Sequence, residues 1–368
     1  MAEGLDPVAA NKEPKLCESN VVFHEGKLVV WGDGIKMAEV DSCARFSIFC
    51  GSNERQPQAI LKSLVDRSSQ QLQVSPVRGG VYNVEYTPKI RGQHHLLISV
   101  DDQPIPGSPF SVLVKIHPTK LDKPARKIEG INPWYGTINS SGELIVTDHT
   151  KDVVVFDKKG NKTRSISKSK HGFEYVCGVA VDKVDNIYIS DYGNHCVYKF
   201  NKEGNLLKKF GKKGGGQMEL KKPHGILVVG DRVLVCDRGN QRVQVLTTEL
   251  EPVKVIGGLN NSYDIAVDDE QMLYIADGKE GVKVFTMDGQ FSHCFGEDQP
   301  RLAYGVCVDG GTGFVYVSDI VNNCVCVFTR DGQFVTLFGK GLVFRPYGVT
   351  MDSDGFVYVC NNRRVTVF

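Results

Sequence analysis

Five ring side chains, Tyr135, His224, Tyr263, Tyr304 and Tyr347, occupy one place in a recurring pattern, each directly before a Gly or Asp that opens a hydrophobic stretch. Cys177 holds the sixth equivalent place. Nucleobases stack on aromatic faces for roughly 1–3 kcal/mol each, and a Tyr hydroxyl adds a contact to a base edge. Cations lie nearby in sequence: Lys222 two residues before His224, Arg301 three before Tyr304 and Arg345 two before Tyr347. His195, Arg238, Arg242, Arg363 and Arg364 fall in turns predicted to open on the same side. A further basic group, Lys208, Lys209, Lys212, Lys213 and Lys221, surrounds Gly214-Gly-Gly216, predicted as a mobile loop that attracts phosphates. A plainer reading stands beside this one. A Tyr in such a place also suits a wedge between neighbouring sheets, its hydroxyl capped by backbone, and connector lysines also serve solvation alone.

Catalytic chemistry finds little support. Asp148, Asp191, Asp237, Asp277 and Asp319, with Asn361 in the sixth place, recur once per repeat, which spreads them too widely for paired acid–base work and marks them as turn formers. No Cys-x-x-Cys pair occurs among the eleven cysteines, and Cys324-x-Cys326 lacks His neighbours at metal spacing, so neither metal nor cofactor is expected. An odd number of scattered cysteines and the lack of an apolar signal segment predict a soluble, monomeric chain of the reducing cytosol. No run approaches the ~20 apolar residues of a membrane helix. The net charge of +1 conceals an asymmetry: residues 151–222 hold 16 Lys/Arg against 8 Asp/Glu, and residues 223–368 hold 12 against 18.

The elements that must position these residues repeat about every forty residues. Units begin near Gly136, Gly178, Gly225, Asp264, Gly305 and Gly348, at spacings of 42, 47, 39, 41 and 43. Each reads as four short alternating strands, which predicts a six-bladed β-propeller over residues 125–368. The sixth unit ends at Arg364-Val-Thr-Val-Phe368, one strand short, and Ala125-Arg-Lys-Ile-Glu-Gly130 supplies the missing outer strand, closing the ring. In this geometry the residues before each first strand converge on one mouth of the central channel. Residues 18–117 carry no such repeat and read as an immunoglobulin-like β-sandwich, with a stiff linker over 118–124 and a disordered segment over 1–17. The stretch from Pro57 to Leu64 shows mild helical character, and His94 and His95 are expected at the surface or at a sheet edge.

Gly79-Gly-Val-Tyr-Asn-Val-Glu-Tyr-Thr-Pro88, Gly92-Gln-His-His-Leu96 and Pro104-Ile-Pro-Gly-Ser-Pro-Phe110 resemble a filamin-type repeat. Asp237-Arg-Gly-Asn-Gln-Arg-Val-Gln-Val245 resembles the third-strand signature of NHL repeats. Together the two resemble the C-terminal half of the tripartite-motif NHL proteins, without their RING, B-boxes and coiled coil. The resemblance implies a non-enzymatic recognition module, since NHL propellers bind RNA in some relatives and proteins in others. Single-stranded or looped RNA on the propeller face is the expected ligand, for post-transcriptional regulation. The alternative is a protein-binding arm of a ubiquitin ligase or a scaffold, with peptide docking on a filamin-type sheet edge. Cys196, Gly281 and Cys324 depart from the arginine that RNA-binding relatives tend to carry, which favours that alternative. An enzyme such as a lyase or lactonase is disfavoured, because no metal-binding His/Glu set faces the channel.

Overall fold

The structure, a computed structural model, describes residues 21–25, 28–51, 55–149 and 152–368. The predicted disordered segment lies outside the described residues. The chain divides into two compact units, residues 1–117 and 118–368.

The first unit is a β-sandwich. One sheet runs Val21–Glu25, Leu28–Trp31, Ala44–Phe49, Val81–Tyr86, Gln73–Pro76; the other runs Met37–Glu39, Phe110–Lys115, Gly92–Val100, Pro57–Ser63, Ser69–Gln71. Alternating residues of both sheets, among them Ile48, Val84, Leu96, Ile98 and Val112, fill one core. Pro57–Ser63 is a strand rather than a helix: it pairs with Gly92–Val100 and buries Ala59, Leu61 and Ser63 on one face. Its apolar spacing fits both periods, and the neighbouring strand decides between them. His94 is neither exposed nor on an edge strand: it is buried on Gly92–Val100 between Phe110–Lys115 and Pro57–Ser63, with its Nδ1 3.0 Å from the Gly92 carbonyl.

Among the described residues, the second unit is six four-stranded antiparallel sheets. Blade two is representative, with Val176–Val181, Ile187–Asp191, Cys196–Phe200 and Leu206–Phe210 in order from the inside outward. The middle two strands are buried throughout because neighbouring blades cover both their faces, whereas Leu206–Phe210 is exposed except at Phe210. The ring closes as the sequence predicts. Arg126–Glu129 pairs antiparallel with Arg364–Val367, and Ile128 joins Val365, Val367 and Tyr358 in the seam core.

Glycine at the head of the inner strands sets the channel radius. A Cβ on Gly178 would lie 2.5 Å from the His224 carbonyl oxygen, and one on Gly305 would lie 2.4 Å from that of Tyr347. Neighbouring inner strands therefore touch backbone to backbone. Hydroxyls one strand outward strap them together: Ser190 Oγ accepts from Gly178 N (2.8 Å) and donates to the His224 carbonyl, and Ser318 does the same between Gly305 and Tyr347. Thr147 links Tyr135 to the Cys177 carbonyl in the same way.

Candidate functional site

The narrow channel decides what the six converging residues do. Tyr135, His224 and Tyr304 turn into it and plug it, at 4%, 1% and 7% exposure, and Cys177 is fully buried. The Tyr304 hydroxyl lies 3.0 Å from His224 Nε2, while His224 Nδ1 lies 2.9 Å from the Tyr263 carbonyl. The imidazole thus donates from Nδ1 to that carbonyl and accepts from Tyr304 at Nε2. Tyr135 Oη reaches the Tyr263 and Tyr304 carbonyls at 3.2 and 3.3 Å. Burial, and then the Arg238 charge, push the His224 imidazole down to about 3, so it is neutral. Burial likewise raises the Tyr135 and Tyr304 hydroxyls. Beneath the plug a cavity of about 190 Å³ is lined by inner strands. Asp264 lies there, its carboxyl raised to about 8 by burial, accepting from Val306 N at 3.1 Å. The expected rim thus separates into a buried plug of Tyr135, His224 and Tyr304 and a half-buried pair, Tyr263 and Tyr347, because six inward side chains cannot all stay open at this radius.

Accessible aromatic surface comes instead from Trp134 and Tyr175, one or two residues from those places, and from His149 and Tyr192, just after the second strands. Trp134 stacks on His149 with centroids 4.3 Å apart and on Tyr347 at 5.7 Å. His149 meets Tyr175 at 5.5 Å, and Tyr175 is 43% exposed. The Tyr175 carbonyl accepts from Tyr192 N at 2.8 Å, which sets Tyr192 beside it. An arc of rings, Tyr192, Tyr175, His149, Trp134 and Tyr347, therefore spans blades two, one and six. Cations of the chain cap it. Lys222 Nζ lies 5.4 Å from the Tyr192 centroid and the Arg345 guanidinium 5.9 Å from that of Tyr347. On the opposite side Arg238 covers Tyr263 at 4.5 Å and donates to its hydroxyl at 3.0 Å. Trp134, His149, Tyr175 and Tyr192 escaped the sequence reading. His149 and Tyr192 follow the strand-ending acids Asp148 and Asp191 as Arg238 follows Asp237, and this recurrence is the signal that finds them.

The basic residues fall into three groups. Lys222, Arg301, Arg345 and Arg363 are exposed on the loops of this face, and His195 is half-buried there, its Nδ1 accepting from Lys222 N at 2.9 Å. Lys212, Lys213 and Lys221 flank the glycine-rich loop, whereas Lys208 and Lys209 sit on the outer strand of blade two. Arg242 is committed internally. It pairs with buried Asp237 at 2.8 Å and donates to the Gly215, Gly216 and Glu219 carbonyls at 2.9–3.1 Å. The loop predicted to be mobile is thus tied down by a guanidinium fork.

The acids do turn work. Asp191 accepts from the backbone N–H groups of Glu174, Tyr175, Gly193 and Asn194 at 3.0–3.1 Å. Asp319 approaches Cys324 and Cys326, with ligand atoms within 4.8 Å of one another. Both its oxygens nevertheless accept from Arg301, Val321 and Asn322 N–H groups and the Asn322 amide.

The Filamin/ABP280 repeat pattern matches residues 22–111 and the NHL repeat pattern residues 220–246. The E3 ubiquitin-protein ligases TRIM71 of Mus musculus and Rattus norvegicus are each 28% identical over 148 residues, 35% of this chain and 17% of theirs. The chain thus combines a filamin repeat with an NHL repeat and, over part of its length, is similar to TRIM71. Solved propellers share the fold of the second unit. A gluconolactonase from Xanthomonas campestris has a TM-score of 0.55 at 16% identity, covering 69% of this chain and 93% of that one. A protein of unknown function from Bacteroides thetaiotaomicron has 0.55 at 13%, covering 97% and 99%. Virginiamycin B lyase from Staphylococcus aureus has 0.51 at 14%, covering 64% and 81%. At these identities the likeness is one of fold alone.

Proposed function

We propose that the propeller face binds single-stranded or looped RNA, with bases stacking on the arc from Tyr192 to Tyr347 and phosphates meeting Lys222, Arg345 and the lysines of the adjoining loop. The observation that carries this reading is the continuous stack of half-buried Trp134 and His149 running out to exposed Tyr175, an aromatic surface open at its Tyr175 end. Stacking on such platforms tolerates any base, and flanking cations supply the salt-dependent share of affinity. Measuring affinity for a randomised RNA pool from low to physiological salt tests it; a folded monomer that retains no RNA even at low salt refutes it.

A protein ligand is the second reading, and the committed arginines favour it. Arg242 spends its guanidinium on Asp237 and the glycine-rich loop. At Gly281 a Cβ would lie 2.2 Å from the Phe295 carbonyl oxygen, so no longer side chain can stand there. In that reading the arc is a peptide-binding rim, and proteomics of captured partners with the same bait separates the two.

A further inference from the structure

Blade six departs from its neighbours on the face that carries the arc. Its turn between second and third strands joins the paired residues Asn361 and Arg364 through only Asn362 and Arg363. In blades two, three and five the corresponding pairs, Asp191 with Cys196, Asp237 with Arg242 and Asp319 with Cys324, enclose two residues more. The shorter turn leaves a cleft of about 590 Å³ at the ring seam, lined by Glu129 of the closing strand, Asn132, Asp148, Asn362, Arg363 and Arg364.

The polar groups around this cleft are incompletely matched. Arg364 Nε is buried without a hydrogen-bond partner, and its Nη1 lies 3.8 Å from Glu129 Oε1, beyond hydrogen-bond distance. The amide oxygen of Asn361, which replaces the acid of the other blades, is also buried and unpartnered. A partly exposed guanidinium whose Nε lacks a partner thus stands beside a largely exposed carboxylate, and each favours a ligand edge of the opposite hydrogen-bonding kind. The cleft adjoins the aromatic arc: the Asn132 carbonyl accepts from His149 N at 3.1 Å, and Trp134 lies two residues further on.

We propose that the seam cleft is a guanine-selective pocket for one nucleotide of the bound strand. The inference rests on the strand-binding reading above and adds a specificity that stacking alone lacks. Guanine presents two adjacent edges that match the pair of walls: O6 and N7 accept from a guanidinium, and N1–H with the N2 amine donate to a carboxylate. Its O6 lies between those edges, so a guanidinium and a carboxylate standing side by side each take one. Adenine offers no pair of neighbouring donors, cytosine donates only from its amine, and uracil sets one N–H between two acceptors.

The test is a titration of the full chain with each of the four nucleoside monophosphates and with inorganic phosphate, followed by NMR of the arginine Nε–H signals. GMP is expected to shift Arg364 Nε–H saturably and to bind about tenfold or more tightly than the other three, the discrimination of one bidentate base contact. Arg364→Gln and Glu129→Gln should each abolish the preference, and Lys202→Gln, exposed on blade two away from the cleft, controls for a general loss of charge. Equal response to all five probes, no saturable shift, or a preference that survives Arg364→Gln overturns the pocket. A chain that selects GMP through Arg364 yet binds no oligonucleotide refutes strand binding and keeps the pocket. One that binds oligonucleotides through Trp134 but treats the four monophosphates alike does the reverse.

Discussion

Replacing His224 by Gln should change how the propeller responds to acid. The imidazole is held neutral at about 3, well below its ordinary 6.5, so between those values the unfolded chain binds a proton that the folded chain refuses. The contribution of His224 to stability is therefore complete above pH 6.5 and is lost as pH falls toward 3. Gln keeps an amide in the plug and never titrates. The stability difference between the native chain and His224→Gln should shrink by about 1.4 kcal/mol per pH unit below 6.5, roughly 2–3 kcal/mol by pH 4.5. Asp264 runs the other way. Its carboxyl, raised to about 8, keeps a proton that the unfolded chain has released, so its contribution is full below the ordinary 3.8 and is lost as pH rises toward 8. The two slopes oppose each other between about pH 4 and 6.5, so the difference between variants, not the absolute curve, is the informative quantity. Urea unfolding of chains carrying Trp31→Phe, from pH 4.5 to 7.5, leaves Trp134 to report on the propeller. A difference that stays constant over this range would show that His224 is solvated and that the plug is wrongly described.

Deleting residues 118–130 removes the strand that covers Arg364–Val367 and should produce aggregation or a lower Tm, read by size exclusion and calorimetry; an unchanged monomer with an unchanged Tm contradicts the closure. Gly305→Ala places a Cβ 2.4 Å from the Tyr347 carbonyl oxygen and should destabilise the ring by about 1–3 kcal/mol in chemical denaturation. Lys222→Ala and Arg345→Ala should weaken RNA binding across sequences and flatten the plot of log affinity against log salt by about one for each phosphate that the protein no longer neutralises.

The ring and its closure were legible because they rest on period and on missing partners. A sixth unit without an outer strand and a spare strand before the first unit admit one pairing. The direction of the side chains at the mouth was not legible, since Tyr135, Tyr263, Tyr304 and Tyr347 share one repeat position yet only two keep partial exposure. What separates them is the channel radius, set by contacts such as Gly178 against His224 that join blades far apart in sequence. The same non-locality hid the Ser190 and Ser318 straps and the commitment of Arg242 to the glycine-rich loop. Pro57–Ser63 misled because its local pattern suits a helix and a strand alike until Gly92–Val100 lies beside it.

The claim that the arc is a stacking platform meets its most direct test in Trp134 itself. In the Trp31→Phe chain, whose fluorescence comes from Trp134 alone, titration with a short unstructured RNA at low salt should quench the emission saturably. Trp134→Ala should then weaken binding of the same RNA by roughly 1–3 kcal/mol while the ring stays folded. Tight binding that neither quenches Trp134 nor responds to its removal would place the ligand elsewhere and contradict the account.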